Sequence, residues 1–160
     1  MSTEIGANLT RTYTAAQLAT EGAFSPGVCV TAQDGKVYKF VKFNNGVGDV
    51  AAVVGNVCYY YAVSGVSAGQ ITEVTMDVTD SGGVSAGVFQ SIPADGEYCW
   101  IQIKGPATLT TALVSGADGN ALMASATTDG TFKVSAAVTD AVSAYAIDAS
   151  AKIVMLDCPF

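Results

Sequence analysis

Residues 95–106, DGEYCWIQIKGP, decide the fold. They hold the only tryptophan of the chain and lie between a loop at 93–96 and the turn signal Gly105-Pro106, which is expected to end a strand and remove a backbone donor. Between those signals the side chains alternate with the period of two that a strand imposes. Cys99, Ile101 and Ile103 fall on one face, an all-apolar set that belongs in a core. Tyr98, Trp100, Gln102 and Lys104 fall on the other. Two large aromatics beside an amide and an ammonium suit a surface covered by another element or subunit better than a deep core. Burying about 150–250 Å² of Trp100 there, at about 25 cal/mol per Å², is worth about 4–6 kcal/mol before entropy is charged against it.

Working outward, strand patterns recur on both sides. Residues 27–33 and 36–43 flank Asp34-Gly35, and residues 121–127 and 131–136 flank Asp129-Gly130, the dipeptide signal of a two-residue hairpin with positive φ. Residues 71–78 alternate as a half-buried strand, 84–90 form a short one, and 144–148 with 152–158 form a last pair. Residues 57–63, VCYYYAV, are apolar on both strand faces and need cover on both sides, from their own domain or another subunit. Three successive tyrosines cannot point one way; if Tyr59 and Tyr61 face inward, Tyr60 is an interface candidate. Before the strands, Thr14 and Gln17 have the spacing of a capping box for one helical turn through Ala19, closed by Gly22. The polar segment 1–12 reads as an arm, loose or laid on a neighbour. The expectation is an all-β, single-domain sandwich or barrel of about ten short strands with at most one or two short helical turns. Residues 1–23 form the arm and residues 24–160 the β-rich domain.

The composition excludes more than it assigns. Seven basic against fourteen acidic residues give a net charge of −7, the wrong sign for a phosphate-backbone binder, so no nucleic-acid partner is expected. No apolar run reaches the roughly 18–20 residues of a spanning helix, and the start lacks the basic-then-apolar pattern of a signal peptide. No membrane partner and no secretion are expected. Cys29, Cys58, Cys99 and Cys158 are widely spaced within apolar runs and read as buried free thiols.

There is no histidine, which removes Ser-His-Asp and Cys-His catalysis along with the commonest metal ligand. Glu73, Asp77, Asp95 and Glu97 fall at strand surfaces or turns, where solvated carboxylates are the norm. Asp77, Asp80 and Ser81 before Gly82-Gly83 lack the ligand spacing of a calcium loop. Residues 64–69, SGVSAG, match a nucleophile elbow only if Ala68 is ignored, and no imidazole is present to serve as base. No cofactor, no metal and no catalysis are expected. Lys36, Lys39 and Lys42 gather three of the seven basic residues in one short segment, either as solvated strand edges or as a docking patch for an acidic partner.

Three segments carry a family resemblance: FSPG at 24–27, DGKVYKFVK at 34–42 and EYCWIQIKGP at 97–106. Ser115-Gly116-Ala117 with Leu122, TDGTF at 128–132 and residues 144–148 extend it. Over roughly residues 24–158 the chain resembles the decoration, or cement, proteins of tailed bacteriophage heads. Cys99 departs from the pattern, which has a small residue there. The resemblance implies a β-rich module, often a homotrimer, that binds the major capsid protein on the outside of the icosahedral head and stabilises the lattice. It implies synthesis in the bacterial cytoplasm, residence on the virion and no catalytic residues. The alternative is a host-surface or carbohydrate-binding module with Tyr59, Tyr60, Tyr61 and Trp100 as stacking platforms. Candidates for capsid or subunit contact are those four rings together with Tyr98, Gln102 and Lys104, and the lysines Lys36, Lys39 and Lys42.

Overall fold

The computed structural model describes residues 3–4, 6–22, 24–62 and 71–159. The elbow-like segment 64–69 and the end of the 57–63 run lie outside the described residues. The fold is all-β, with one short α-helix and one 3-10 turn among the described residues. A small hairpin, β1 (Thr3–Glu4) with β2 (Ala7–Asn8), leads to α1 (Ala15–Glu21). Then follow β3 (Cys29–Thr31), β4 (Val37–Phe43), β5 (Val57–Tyr61), β6 (Glu73–Thr75), β7 (Ser81–Phe89) and β8 (Tyr98–Thr108). The last four are β9 (Ala121–Ala124), β10 (Phe132–Val134), β11 (Val142–Asp148) and β12 (Ile153–Asp157).

Pairing closes a barrel. β8 pairs with β4 and with β7, β7 with β5, β5 with β6, and β6 with β4, a cycle in which only the β4–β6 contact is parallel. Closure removes the free edges that five strands would otherwise present. β8 then runs on past Gly105-Pro106. That pair does not end the strand: at Gly105 the backbone takes φ +96°, and residues 104–108 pair with β12. β12 pairs with β11, β11 with β9 and β9 with β10, so a four-strand sheet hangs from the far half of β8. The quoted stretch is thus the strand that the barrel and the sheet share.

Two cores lie on opposite faces of the β4–β8 ladder. Cys99, Ile101 and Ile103 join Val41, Phe43, Val74 and Phe89 inside the barrel, in a cluster that continues to Tyr59, Leu122, Phe132, Val154 and Leu156 under the sheet. Tyr38, Phe40 and Trp100 form a second cluster outside the barrel, closed by Ala7, Leu9 and Tyr13 and flanked by Leu18, Phe24 and Tyr98. The N-terminal segment is therefore neither loose nor laid on a neighbour where it is described. Tyr13 exchanges two backbone hydrogen bonds with Tyr98, at 2.9 and 2.8 Å.

Local chemistry explains most boundaries. Thr14 and Gln17 form the complete capping box, each side chain accepting from the other's backbone N–H, and Gly22 closes α1 at φ +60°. The helix runs two residues past Ala19. The Asp34-Gly35 hairpin forms, with a longer loop than expected: Ala32 N–H donates to the Lys36 carbonyl and Gly35 N–H to that of Ala32, and only Gly35 takes positive φ. That is a turn followed by a left-handed glycine rather than a two-residue loop. Residues 71–78 shrink to a three-residue strand, because Asp77 caps a 3-10 turn, Val78–Asp80, by accepting from the Thr79 N–H. Gly87 permits a close approach of β7 to β8; a Cβ there would lie 2.5 Å from the Gln102 carbonyl oxygen. Three cysteines are buried and free, but Cys29 is exposed, because β3 is a short edge strand.

Candidate assembly surface

The side chains singled out for assembly fall into three groups. The aromatic group is turned inward. Trp100 is fully buried, its ring 5.0 Å edge-on from Phe24 and 5.0 Å from Phe40, which also stacks on Tyr98 at 6.0 Å. The mixed face of β8 is covered by the chain's own Ala7, Leu9, Tyr13, Leu18 and Phe24. Tyr59 is equally buried: its hydroxyl accepts from the Thr131 N–H at 3.0 Å and donates to the Thr131 carbonyl at 2.6 Å. Burial pushes its pKa far up. Tyr60 is buried too, contrary to the expected outward orientation, and donates its hydroxyl to the Pro159 carbonyl at 3.0 Å. Tyr61 is half-buried, with burial, Asp80 and Glu73 pushing it up to about 12.

The lysines do not form one patch. Spacing by three places Lys36 and Lys42 on one strand face and Lys39 on the other. Lys39 enters the barrel mouth, where its ammonium donates to the Tyr60 hydroxyl at 2.9 Å and sits 5.0 Å from the centre of that ring. Burial lowers its pKa. Lys36 pairs with Asp34 at 3.4 Å, Lys42 with Glu73 at 3.8 Å and Lys104 with Asp157 at 3.1 Å. The exposed pairs of Lys36 and Lys104 contribute little, whereas Glu73 is buried.

Gln102 is a structural residue. Its amide donates to the carbonyls of Lys104 and Pro106 at 3.1 and 3.0 Å, acceptors left where β8 bends away from β7. A cavity of about 260 Å³ opens beside it, lined in part by Lys36, Gln90 and Thr108. The carboxylates of Asp77 and Asp80 serve the backbone. Asp77 accepts from Gly48 N–H and Asp80 from Val47 N–H, approaches that glycine at 46 and 48 leaves open. Among the described residues no cluster of three or more Cys, Asp or Glu is placed to hold a metal ion.

The residues that sequence reasoning missed lie on β11 and β12. Along β11, Ser143, Ala144 and Ala146 are buried, while Val142, Tyr145 and Ile147 are 39%, 51% and 46% exposed. On β12, Val154 and Leu156 are buried and Met155 is 41% exposed. On β11 the size order is inverted: small side chains fill the inside, and large apolar ones face outward. Irregular register against β9, between Val142 and Ala144, keeps Val142 on the outer face with Tyr145, and ordinary alternation keeps Ile147 there. Direct cross-strand pairing then lines up Ala121, Tyr145, Met155 and Pro106 in one apolar row across four strands. The alternation Tyr145-Ala146-Ile147 was the available signal; it marks two faces without saying which is inside.

No family model, curated protein or solved structure matches this chain. Its own surface carries the functional reading.

Proposed function

We propose that this chain is a decoration subunit of a tailed-phage head, binding the outer surface of the major capsid protein lattice and stabilising it. One observation carries the reading: β11 and β12, inside a hydrogen-bonded four-strand sheet, hold the large apolar side chains Val142, Tyr145, Ile147 and Met155 partly exposed on its outer face, while on β11 only Ser143, Ala144 and Ala146 are buried. Such a face has the composition of a protein contact. The resemblance of residues 24–27, 34–42 and 97–106 supplies the particular partner, and with it a virion location and a homo-oligomeric state. In this role the chain needs buried area repeated over many copies and no reacting group. The carbohydrate alternative loses its support, because the rings of Tyr59, Tyr60 and Trp100 are spent inside the chain and leave no broad face for a sugar. Heads assembled without this protein and then incubated with it are expected to retain their DNA at temperatures that empty the undecorated heads; equal losses with and without it would refute the proposal.

A further inference from the structure

Gln102 stands where β8 bends away from β7, and only one end of its side-chain amide is used. Its Nε2 donates to the Lys104 and Pro106 carbonyls, which fixes the rotation of the amide: turned over, its oxygen would face two acceptors. The Oε1 has no hydrogen-bond donor among the described residues, although the residue is only 4% exposed. Solvent still reaches that oxygen, and Gln102 lines the cavity of about 260 Å³. A buried acceptor thus opens on that cavity without a partner.

Gln90 repeats the arrangement. Val88 pairs directly with Gln102, and Gln90 donates its Nε2 to the Val88 carbonyl, so its Oε1 is again the end without a donor among the described residues. Both glutamines line the same cavity. Lys36 lines it too, but its ammonium goes to Asp34 at 3.4 Å, and its Cγ lies 3.0 Å from where a Cβ on Gly105 would stand. It adds a methylene stem and an ion pair of no net charge. Val54, Val88 and Pro106 add apolar surface.

We propose that this cavity is a guanidinium site, which takes the end of an arginine side chain or of a free guanidino compound between the two amide oxygens. A guanidinium carries five N–H donors in a flat fork and no acceptor, so one group answers both oxygens at once. It is weakly hydrated, and its faces rest well on apolar side chains, whereas an ammonium is a strongly hydrated point charge. An anion would meet two acceptors. The net charge of −7 draws cations to the chain. The volume falls below the roughly 300–1,000 Å³ of pockets for drug-sized ligands and suits a group of side-chain size. The site goes beyond the decoration reading and does not depend on it.

Amide NMR of the isotope-labelled full chain, titrated with butylguanidinium, tests this. The backbone amides of Gly55, Gln90, Gln102 and Thr108 are expected to shift saturably at millimolar ligand. Butylammonium carries the charge without the fork, and butyramide carries N–H groups without the charge; each is expected to bind at least about tenfold more weakly. Gln90→Leu is expected to weaken butylguanidinium about tenfold, the loss of one charge-assisted hydrogen bond, and Gln102→Met to do the same. Circular dichroism and tryptophan emission should stay unchanged in both. Gln102→Met also unpairs two carbonyls; if it disturbs the fold, Gln90→Leu decides. No saturable shift at these amides, equal binding of either control, or full affinity in Gln90→Leu overturns the proposal. A capped arginine, Nα-acetylarginine N-methylamide, separates the two sources of the group. Binding as tight as that of butylguanidinium supports a site open to an arginine carried on a protein, and binding of butylguanidinium alone supports a site for a free compound.

Discussion

Trp100 of β8 stands directly opposite Phe40 of β4, with ring centroids 5.0 Å apart, on the outer side of the barrel wall. That pair makes the N-terminal segment part of the fold. Phe24 and Tyr13 close on the same rings, and Arg11 lies 4.4 Å from the Tyr13 ring centre while bonding Glu21 at 2.7 Å. Trp100→Ala is expected to cost about 3–5 kcal/mol in urea denaturation, the range for deleting a large buried aromatic. Trp100→Phe should cost clearly less, since the indole N–H is buried with no hydrogen-bond partner among the described residues. As the only tryptophan, Trp100 should also emit at short wavelength and resist acrylamide quenching.

Removal of residues 1–12 follows from the same contact. Ala7 and Leu9 are buried on the Tyr38, Phe40 and Trp100 rings. The deletion is expected to cost about 2–4 kcal/mol, chiefly from the uncovered apolar surface, and to shift tryptophan emission to the red. Unchanged emission and stability would show that the segment does not cover these rings in solution.

Two glycines separate backbone strain from crowding. At Gly83, φ is +77° and a Cβ would meet nothing within 4 Å; at Gly130, φ is +71° and a Cβ would lie 2.5 Å from Asn56 Nδ2. Asn56 cannot withdraw freely, because its side-chain oxygen accepts from both the N–H and the hydroxyl of Thr111. Gly83→Ala is expected to lower stability by about 1–2 kcal/mol, the left-handed penalty alone. Gly130→Ala should add about 1–3 kcal/mol of overpacking to that. Comparing their urea midpoints checks the order.

Acid should unfold the protein through a small set of carboxylates. Burial alone would raise Asp77, but hydrogen bonds from the Thr79 hydroxyl, the Thr79 N–H and the Gly48 N–H outweigh it and hold the carboxyl below its ordinary value. Asp140 is lowered by the N–H groups of Ala137 and Ala136, and Asp148 by that of Ala151 and the Ser150 hydroxyl. A folded value below the unfolded one means stabilisation that is present above the ordinary carboxylate pKa of about 4 and lost as pH falls through and below it. The melting temperature is expected to stay level from pH 7 to 5 and to fall below about pH 4, with a shallower fall in Asp77→Asn.

The chain shows clearly how much a sequence reveals of such a fold. The split of 95–106 into two faces was legible because alternation is local: Cys99, Ile101 and Ile103 enter the barrel, and Trp100 enters the second core. The capping box at Thr14 and Gln17 was legible for the same reason. What covers a face is set by the topology, and so the cover over Trp100, supplied by Ala7, Leu9, Tyr13, Leu18 and Phe24, was hidden. Lys39 was misplaced because spacing by three suggests a cluster, whereas a strand sends the middle residue to the opposite side. The outward rows on β11 and β12 were hidden by their neighbours, since alanine between large residues gives no clue to which face is inside.

Cosedimentation with undecorated heads tests the central claim most directly. Purified protein mixed with heads that lack it is expected to pellet with them, saturably and in a fixed ratio to the major capsid protein. Protein that stays in the supernatant at every concentration, under conditions where the heads are intact, would contradict it.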